Sequence, residues 1–162
     1  MKPLSAKLWR ELVNLSVLRE IRKRYENFNE LVRTYKKEGI GTLSSNEVKA
    51  VKETIEDLFV LEIFSCFERF LRDKLVACLE LESCPFSKEQ VRNHIEFMKI
   101  EELLDSLKGG IDPISIGYLK QIKRYRDWIA HGRNSQKPPP VRTVDFDRVF
   151  EIIELIMEEL ER

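Results

Sequence analysis

The chain has 162 residues, of which 43% are hydrophobic, and this size and composition are typical of one globular domain with a single core. Its 28 basic and 28 acidic residues cancel, which excludes a polyanion-binding protein that acts through net charge alone. Any affinity for nucleic acid must come from a local cluster of basic residues.

The first predicted element is a long amphipathic helix over residues 4–37. Apolar residues recur along it at intervals of three and four, the spacing that places them on one helical face. Asn27 and Asn29 are poor helix formers, so the helix either continues through them or is broken there. Gly39 and Gly41 are expected to end it.

A second helix is predicted from Ser44 to about residue 81. Ser44 and Glu47 have the spacing of a capping box, which predicts the start of this helix. Its buried face is predicted to contain Val60, Phe64, Phe67, Leu71 and Leu75. Glu68 projects onto the same face, where a carboxylate needs a nearby cation or must extend outward at the edge of the bundle.

Three further helices follow in the prediction. Ser87 is expected to cap a third helix that reaches about residue 107. Asp112 and Pro113 provide a cap and a proline at the first helical position of a fourth helix. A proline-containing loop over residues 133–142 then precedes a last helix that starts near Asp145. Because no segment alternates as a strand does, the sequence predicts an all-α, single-domain helical bundle of about five helices.

Several familiar functional patterns are absent from the sequence. It contains no phosphate-binding glycine loop, no dinucleotide fingerprint and no zinc-ligand set, so no cofactor or metal is expected. Cys66, Cys78 and Cys84 form no paired motif, which indicates a reducing, cytoplasmic setting. No apolar run approaches the roughly 20 residues that cross a bilayer, and no membrane partner is expected. His94 is interpreted as a surface histidine.

The fourth helix contains a charged residue where its pattern requires an apolar one. At about 100° per residue, the core stripe consists of Tyr118, Ile122, Tyr125 and Ile129, with Leu119 and Ala130 on its flank. Arg126 falls inside this sector, where an unpaired charge costs several kcal/mol. We therefore expect Arg126 and Glu68 to lie close together, as a direct ion pair or in a shared polar cleft.

The opposite face of the fourth helix is polar and mostly basic, and it contains Lys120, Lys123, Arg124, Asp127 and His131. Residues 118–137 include six basic side chains and one acidic side chain, whereas residues 145–162 include seven acidic and two basic ones. The basic cluster is thus local and is balanced by the last helix.

The segment from Arg126 to His131, RDWIAH, resembles the signature of the HEPN superfamily: an arginine, a small polar residue, three further positions and a histidine. HEPN domains are all-helical, and many are metal-independent endoribonucleases of toxin–antitoxin and antiviral defence systems. The resemblance implies one HEPN-like domain over residues 1–162 and RNA as the substrate. It also implies a homodimer and an antitoxin or other regulatory protein as a partner.

The residues of this segment suit RNA cleavage without a metal. Histidine has an ordinary pKa of about 6.5, so His131 can act as base or acid. Arg126 can bind two phosphate oxygens in one plane and stabilise a charged phosphorane. Asp127 lies four residues before His131 and is expected to orient its imidazole. The residues expected to bind RNA phosphates are Lys120, Lys123, Arg124 and Arg133.

Two requirements are not met within one chain. Arg126 and His131 lie about 140° apart on a straight helix, and one histidine cannot be acid and base together. A dimer that pairs the two fourth helices would meet both requirements, and the HEPN resemblance implies such a composite cleft. The alternative is a noncatalytic module that binds nucleotide, RNA or a protein partner. In that case Arg126 and Glu68 only fix the bundle, and His131 caps the helix.

Overall fold

The computed structural model describes residues 6–39, 41–81, 85–133, 135–136, 138 and 144–161. Its helices are α1 (Ala6–Glu38), α2 (Ser45–Leu81), α3 (Lys88–Phe97), α4 (Ile100–Ser106), α5 (Pro113–Ala130) and α6 (Phe146–Glu161). The described residues contain no strand, only an isolated bridge between Lys108 and Ile111. The predicted all-α helical bundle is therefore confirmed.

Helix α2 is the central element, and it packs against α1, α3, α4, α5 and α6. Of its predicted core face, Val60, Phe64, Phe67 and Leu71 are buried and Leu75 is partly buried. The predicted capping box is also confirmed. The Ser44 N–H donates to the Glu47 carboxylate at 2.7 Å, and the Glu47 N–H donates to the Ser44 hydroxyl at 3.3 Å.

Helix α1 is continuous through Asn27 and Asn29 and ends at Glu38. The interruption considered from the sequence is therefore not found. Because α1 packs along both α2 and α6, these contacts outweigh the low helix propensity of two asparagines. Gly39 follows the helix with a φ of 60°, a left-handed conformation that glycine adopts readily.

The predicted third helix is two helices, so the bundle has six described helices rather than about five. The break lies at Met98 and Lys99, whose backbones are extended. The guanidinium of Arg72 donates to the carbonyl oxygens of Ile95 and Met98, the latter at 2.9 Å. A cation at a helix C-terminus satisfies carbonyls that have no partner within the helix, which explains why α3 ends here.

The remaining boundaries agree with the sequence. The Ser87 side chain caps α3, and the Asp112 side chain accepts a hydrogen bond from the Ser115 N–H at 2.9 Å before Pro113 opens α5. Neither Cys66 nor Cys78 forms a disulfide with a described residue, and Cys84 lies outside the described residues. So does much of the predicted loop, including residues 139–142. Within the described part of the chain, no helix is long and apolar enough to span a membrane.

Candidate functional site

An open cleft of about 690 Å³ lies between α2, the α3–α4 junction and α5. Its lining includes acidic and basic side chains in equal number: Glu68, Glu101, Glu102 and Asp127 with Arg72, Lys99, Lys123 and Arg126. Positive and negative charges therefore balance within the cleft. We call it the polar cleft, and Arg126 forms part of its wall.

Arg126 and Glu68 meet in the polar cleft, as the sequence predicted. Arg126 Nη1 lies 3.6 Å from Glu68 Oε2, and each side chain is 22% exposed. Glu68 also accepts a hydrogen bond from Arg72 at 2.7 Å, so one carboxylate faces two guanidinium groups. Glu68 and Arg126 therefore form a direct ion pair and also share one polar cleft, so both predicted arrangements are confirmed.

Two further contacts hold the Arg126 side chain. Its Nη2 lies 3.2 Å from Asp127 Oδ1, and its guanidinium carbon lies 5.3 Å from the centre of the Phe64 ring. Its Nε is buried and has no hydrogen-bond partner among the described residues. A buried hydrogen-bond donor without a partner is uncommon, so the described fold does not use the full hydrogen-bonding capacity of the Arg126 side chain.

The structure corrects the role expected of Asp127. Its Oδ2 lies 2.8 Å from Lys123 Nζ and its Oδ1 lies near Arg126, so both carboxylate oxygens face cations. The bond that joins Asp127 to His131 is between backbones, from the His131 N–H to the Asp127 carbonyl at 2.9 Å. Asp127 therefore positions Arg126 rather than the imidazole.

His131 is the C-terminal capping residue of α5 and is exposed. The Gly132 N–H donates to the Ile129 carbonyl at 3.0 Å, and the Arg133 N–H donates to the Trp128 carbonyl at 2.8 Å. With Gly132 at a φ of 77°, this is a Schellman motif that ends the helix sharply. The His131 imidazole forms no hydrogen bond or ion pair with a described residue.

Arg126 and His131 do not share a surface within one chain. Arg126 faces the polar cleft, whereas His131 is not among the residues that line it. The angle of about 140° between positions five apart on a helix accounts for this separation. Ala130, which was predicted at the flank of the core, is exposed instead.

Three of the four residues expected to bind RNA phosphates are paired with carboxylates. Lys120 Nζ lies 2.5 Å from an Asp105 oxygen, Lys123 binds Glu101, and Arg133 binds Asp57. The hydrogen bond from Lys123 holds the pKa of Glu101 below its ordinary value. Arg124 is exposed and forms no ion pair with a described residue. Most of the basic cluster therefore ties α5 to α4 and α2.

Asp57 is a buried charged residue that was not among the predicted site residues. It is 7% exposed and accepts hydrogen bonds from the Tyr125 hydroxyl at 2.6 Å and from Arg133. Arg133 has a φ of 57°, which is uncommon for a residue other than glycine. Its guanidinium also lies 5.9 Å from the Trp128 ring centre. The pair with Asp57 thus anchors the turn that carries His131.

No protein-family model, curated protein or solved structure matches this chain. Among the described residues, no group of three histidine, cysteine, aspartate or glutamate side chains is placed to hold a metal ion. The candidate site therefore consists of Arg126 with its carboxylates in the polar cleft and His131 at the end of the same helix.

Replacing Arg126 by methionine should lower the free energy of unfolding by about 1 to 2 kcal/mol, because Glu68 and Asp127 each lose a cation but each retains another. The matched control is Arg124→Met on the exposed face of α5, for which a change below about 0.5 kcal/mol is expected. Urea unfolding of both variants measures the difference. Equal effects of the two substitutions would show that the polar cleft does not stabilise the fold.

Replacing Arg133 by glutamine should destabilise the protein by about 1 to 3 kcal/mol, since buried Asp57 would keep only the Tyr125 hydroxyl as a partner among the described residues. Arg69→Gln, at an exposed position of α2, serves as the control and should have little effect. The measurement is again urea unfolding. If Arg133 served only to bind RNA, its replacement would leave stability unchanged.

Proposed function

We propose that this chain is a metal-independent endoribonuclease of HEPN type, a toxin or defence effector that acts as a homodimer. The observation that carries the proposal is that one helix holds both a fixed arginine at an open polar cleft and an exposed histidine, His131, which has no partner among the described residues. RNA is the proposed substrate, and an antitoxin or other regulatory protein is the proposed partner.

The outward face of α5 supports assembly through this helix. We define it by Ile114, Gly117, Gln121, Arg124, Trp128 and His131, of which only Trp128 is partly buried. Ile114 is 80% exposed, and a Cβ added at Gly117 would meet no described atom within 4 Å. Glycine inside a helix costs about 1 kcal/mol relative to alanine, and nothing described within the chain requires it here. Close approach of a second helix would account for both residues.

A two-fold arrangement of two such faces would bring the His131 side chains of two chains to one interface. In an isologous interface both chains use the same surface, so that residue i of one chain contacts residue j of the other and the reverse. Two copies of α5 that meet through this face would therefore place both His131 side chains at one interface. The chemistry requires two, because one group must accept a proton while another donates one.

The proposed reaction is transesterification. One imidazole accepts the proton of the 2′-hydroxyl, and the 2′-oxygen attacks the adjacent phosphorus. The second histidine, as imidazolium, donates a proton to the departing 5′-oxygen. Arg126 stabilises the negative charge on the phosphorane, and Glu68 and Asp127 hold its guanidinium in position before the substrate binds. The products are a 2′,3′-cyclic phosphate and a 5′-hydroxyl end.

A noncatalytic module of the same architecture is the second candidate, and one observation favours it. Lys120, Lys123 and Arg133 are all paired with carboxylates, which leaves α5 less positive than its sequence indicates. A protein with this surface would contact few phosphates and would bind RNA with a weak dependence on salt. In that case the Arg126 network would serve only to fix the bundle.

The first test is cleavage of end-labelled RNA in EDTA by wild type, His131→Ala and His94→Ala. Loss of a general acid–base group should lower the rate of the His131 variant by about 10² to 10⁴-fold. His94 is exposed on α3 and should be dispensable. A DNA strand of the same sequence should resist, because it lacks the 2′-hydroxyl. Full activity of His131→Ala, or a requirement for magnesium, would refute the mechanism, and RNA binding without cleavage would favour the second candidate.

The second test concerns the dimer and uses Gly117→Gln. The new side chain has open space within its own chain and a higher helix propensity, so folding should be preserved. It should nevertheless block close approach of two helices, and sedimentation should show a monomer that has lost cleavage. Ser65→Gln on the exposed face of α2 is the control and should remain dimeric. A Gly117→Gln protein that dimerises as well as wild type would place the interface elsewhere.

A further inference from the structure

A second polar pocket, of about 240 Å³, lies beside the C-terminal half of α1, where this helix faces the N-terminal parts of α2 and α6. Its polar lining includes Arg33 and Lys36 of α1, Lys52 of α2 and Asp147 of α6. It shares no residue with the polar cleft or with the outward face of α5. Its interpretation is therefore independent of the proposed ribonuclease.

Positive charge predominates in this pocket. Lys52 Nζ lies 3.2 Å from Glu56 Oε1, and Asp147 binds Arg22, so both nearby carboxylates already have cationic partners. Arg33 and Lys36 are exposed and form no ion pair with any described residue. Because they are three residues apart, they lie on one side of α1, and both line the pocket.

This arrangement differs from that of the other cations nearby. On α1, Arg19, Arg22 and Arg24 all form ion pairs with carboxylates of α1, α2 or α6. The fold thus provides carboxylates for the three arginines in the middle of α1, whereas no described carboxylate pairs with Arg33 or Lys36. Two unpaired cations that converge with a third on one concave surface repel each other unless an anion lies between them.

The floor of the pocket is polar and ordered. The Tyr25 residue is 7% exposed, and its hydroxyl donates to Glu56 Oε1 at 3.2 Å. Its ring contacts Phe59 and Phe146, with ring centres 5.4 and 4.0 Å apart, respectively. Aromatic packing therefore fixes the wall against which a ligand would rest.

We propose that the pocket binds a terminal phosphate group, either free or as a phosphomonoester. A terminal phosphate carries nearly two negative charges at neutral pH, whereas a backbone phosphodiester carries one, so the two cations without a described carboxylate partner, with Lys52 beside them, favour the former. The volume is below the roughly 300 to 1,000 Å³ of drug-sized sites, which suits a phosphate group with at most a small attached moiety. Arg33 supplies a planar pair of donors, and Lys36 and Lys52 supply point charges.

The test uses the full chain and two kinds of probe. Calorimetry with inorganic phosphate, against sodium chloride of matched ionic strength, measures binding of the free anion. Fluorescence anisotropy with a short single-stranded DNA, carrying either a 5′-phosphate or a 5′-hydroxyl, measures binding of a strand end. DNA is chosen because the proposed ribonuclease cannot cleave it. The variants are Arg33→Gln and Lys36→Gln, with Lys37→Gln as the matched control on the same helical turn but outside the pocket.

We expect saturable phosphate binding that each pocket variant weakens by about tenfold or more, while Lys37→Gln changes it by less than about twofold. The 5′-phosphorylated strand should bind more tightly than the 5′-hydroxyl strand if the natural source is a nucleic acid end. Binding of inorganic phosphate alone would support the pocket and identify a small free ligand. Absence of saturable binding to both phosphate probes, or equal weakening by Lys37→Gln, would overturn the proposal, and neither result would bear on RNA cleavage.

Discussion

The arrangement of this bundle depends on the Glu68 carboxylate of α2, which lies between Arg72 and Arg126. A carboxylate that is only 22% exposed is stabilised by cations close to it. Each of the two arginines that bind Glu68 also fixes the position of another helix. Arg72 binds the carbonyls at the end of α3 and so sets the break before α4. Arg126 joins α5 to α2. The polar cleft is the space that these two arginines leave between the helices.

A second carboxylate of α2, Asp57, fixes the other part of α5. It lies eleven residues before Glu68, which is about three helical turns, so the two carboxylates occupy the same side of α2. Asp57 binds Tyr125 and, through Arg133, the turn that follows His131. The energy of that ion pair offsets the left-handed backbone of Arg133, a strain of order 1 kcal/mol or more. The candidate histidine is thus exposed while the turn beneath it is held firmly.

The helix caps could be predicted from the sequence because they depend on a few neighbouring residues. The proximity of Glu68 to Arg126 could also be predicted, because helical projection places both charges on apolar faces. Asp57 projects onto the same stripe as Val60 and Phe64, so the same rule would have found it. The break at Met98 was not predictable, since the Arg72 that causes it lies 26 residues away. Nor could a charge count along the chain show that Lys120 and Lys123 are neutralised by acids of α4.

The proposed ribonuclease requires two copies of α5 to form one cleft that uses both histidines. This requirement is tested most directly by the ribonuclease activity of mixed dimers, in which one tagged subunit is wild type and the other is His131→Ala. A shared cleft would retain only one of its two proton-transfer groups, so the account predicts activity about a hundredfold below that of wild type. Mixed dimers with half the wild-type activity would show two independent sites and would contradict it.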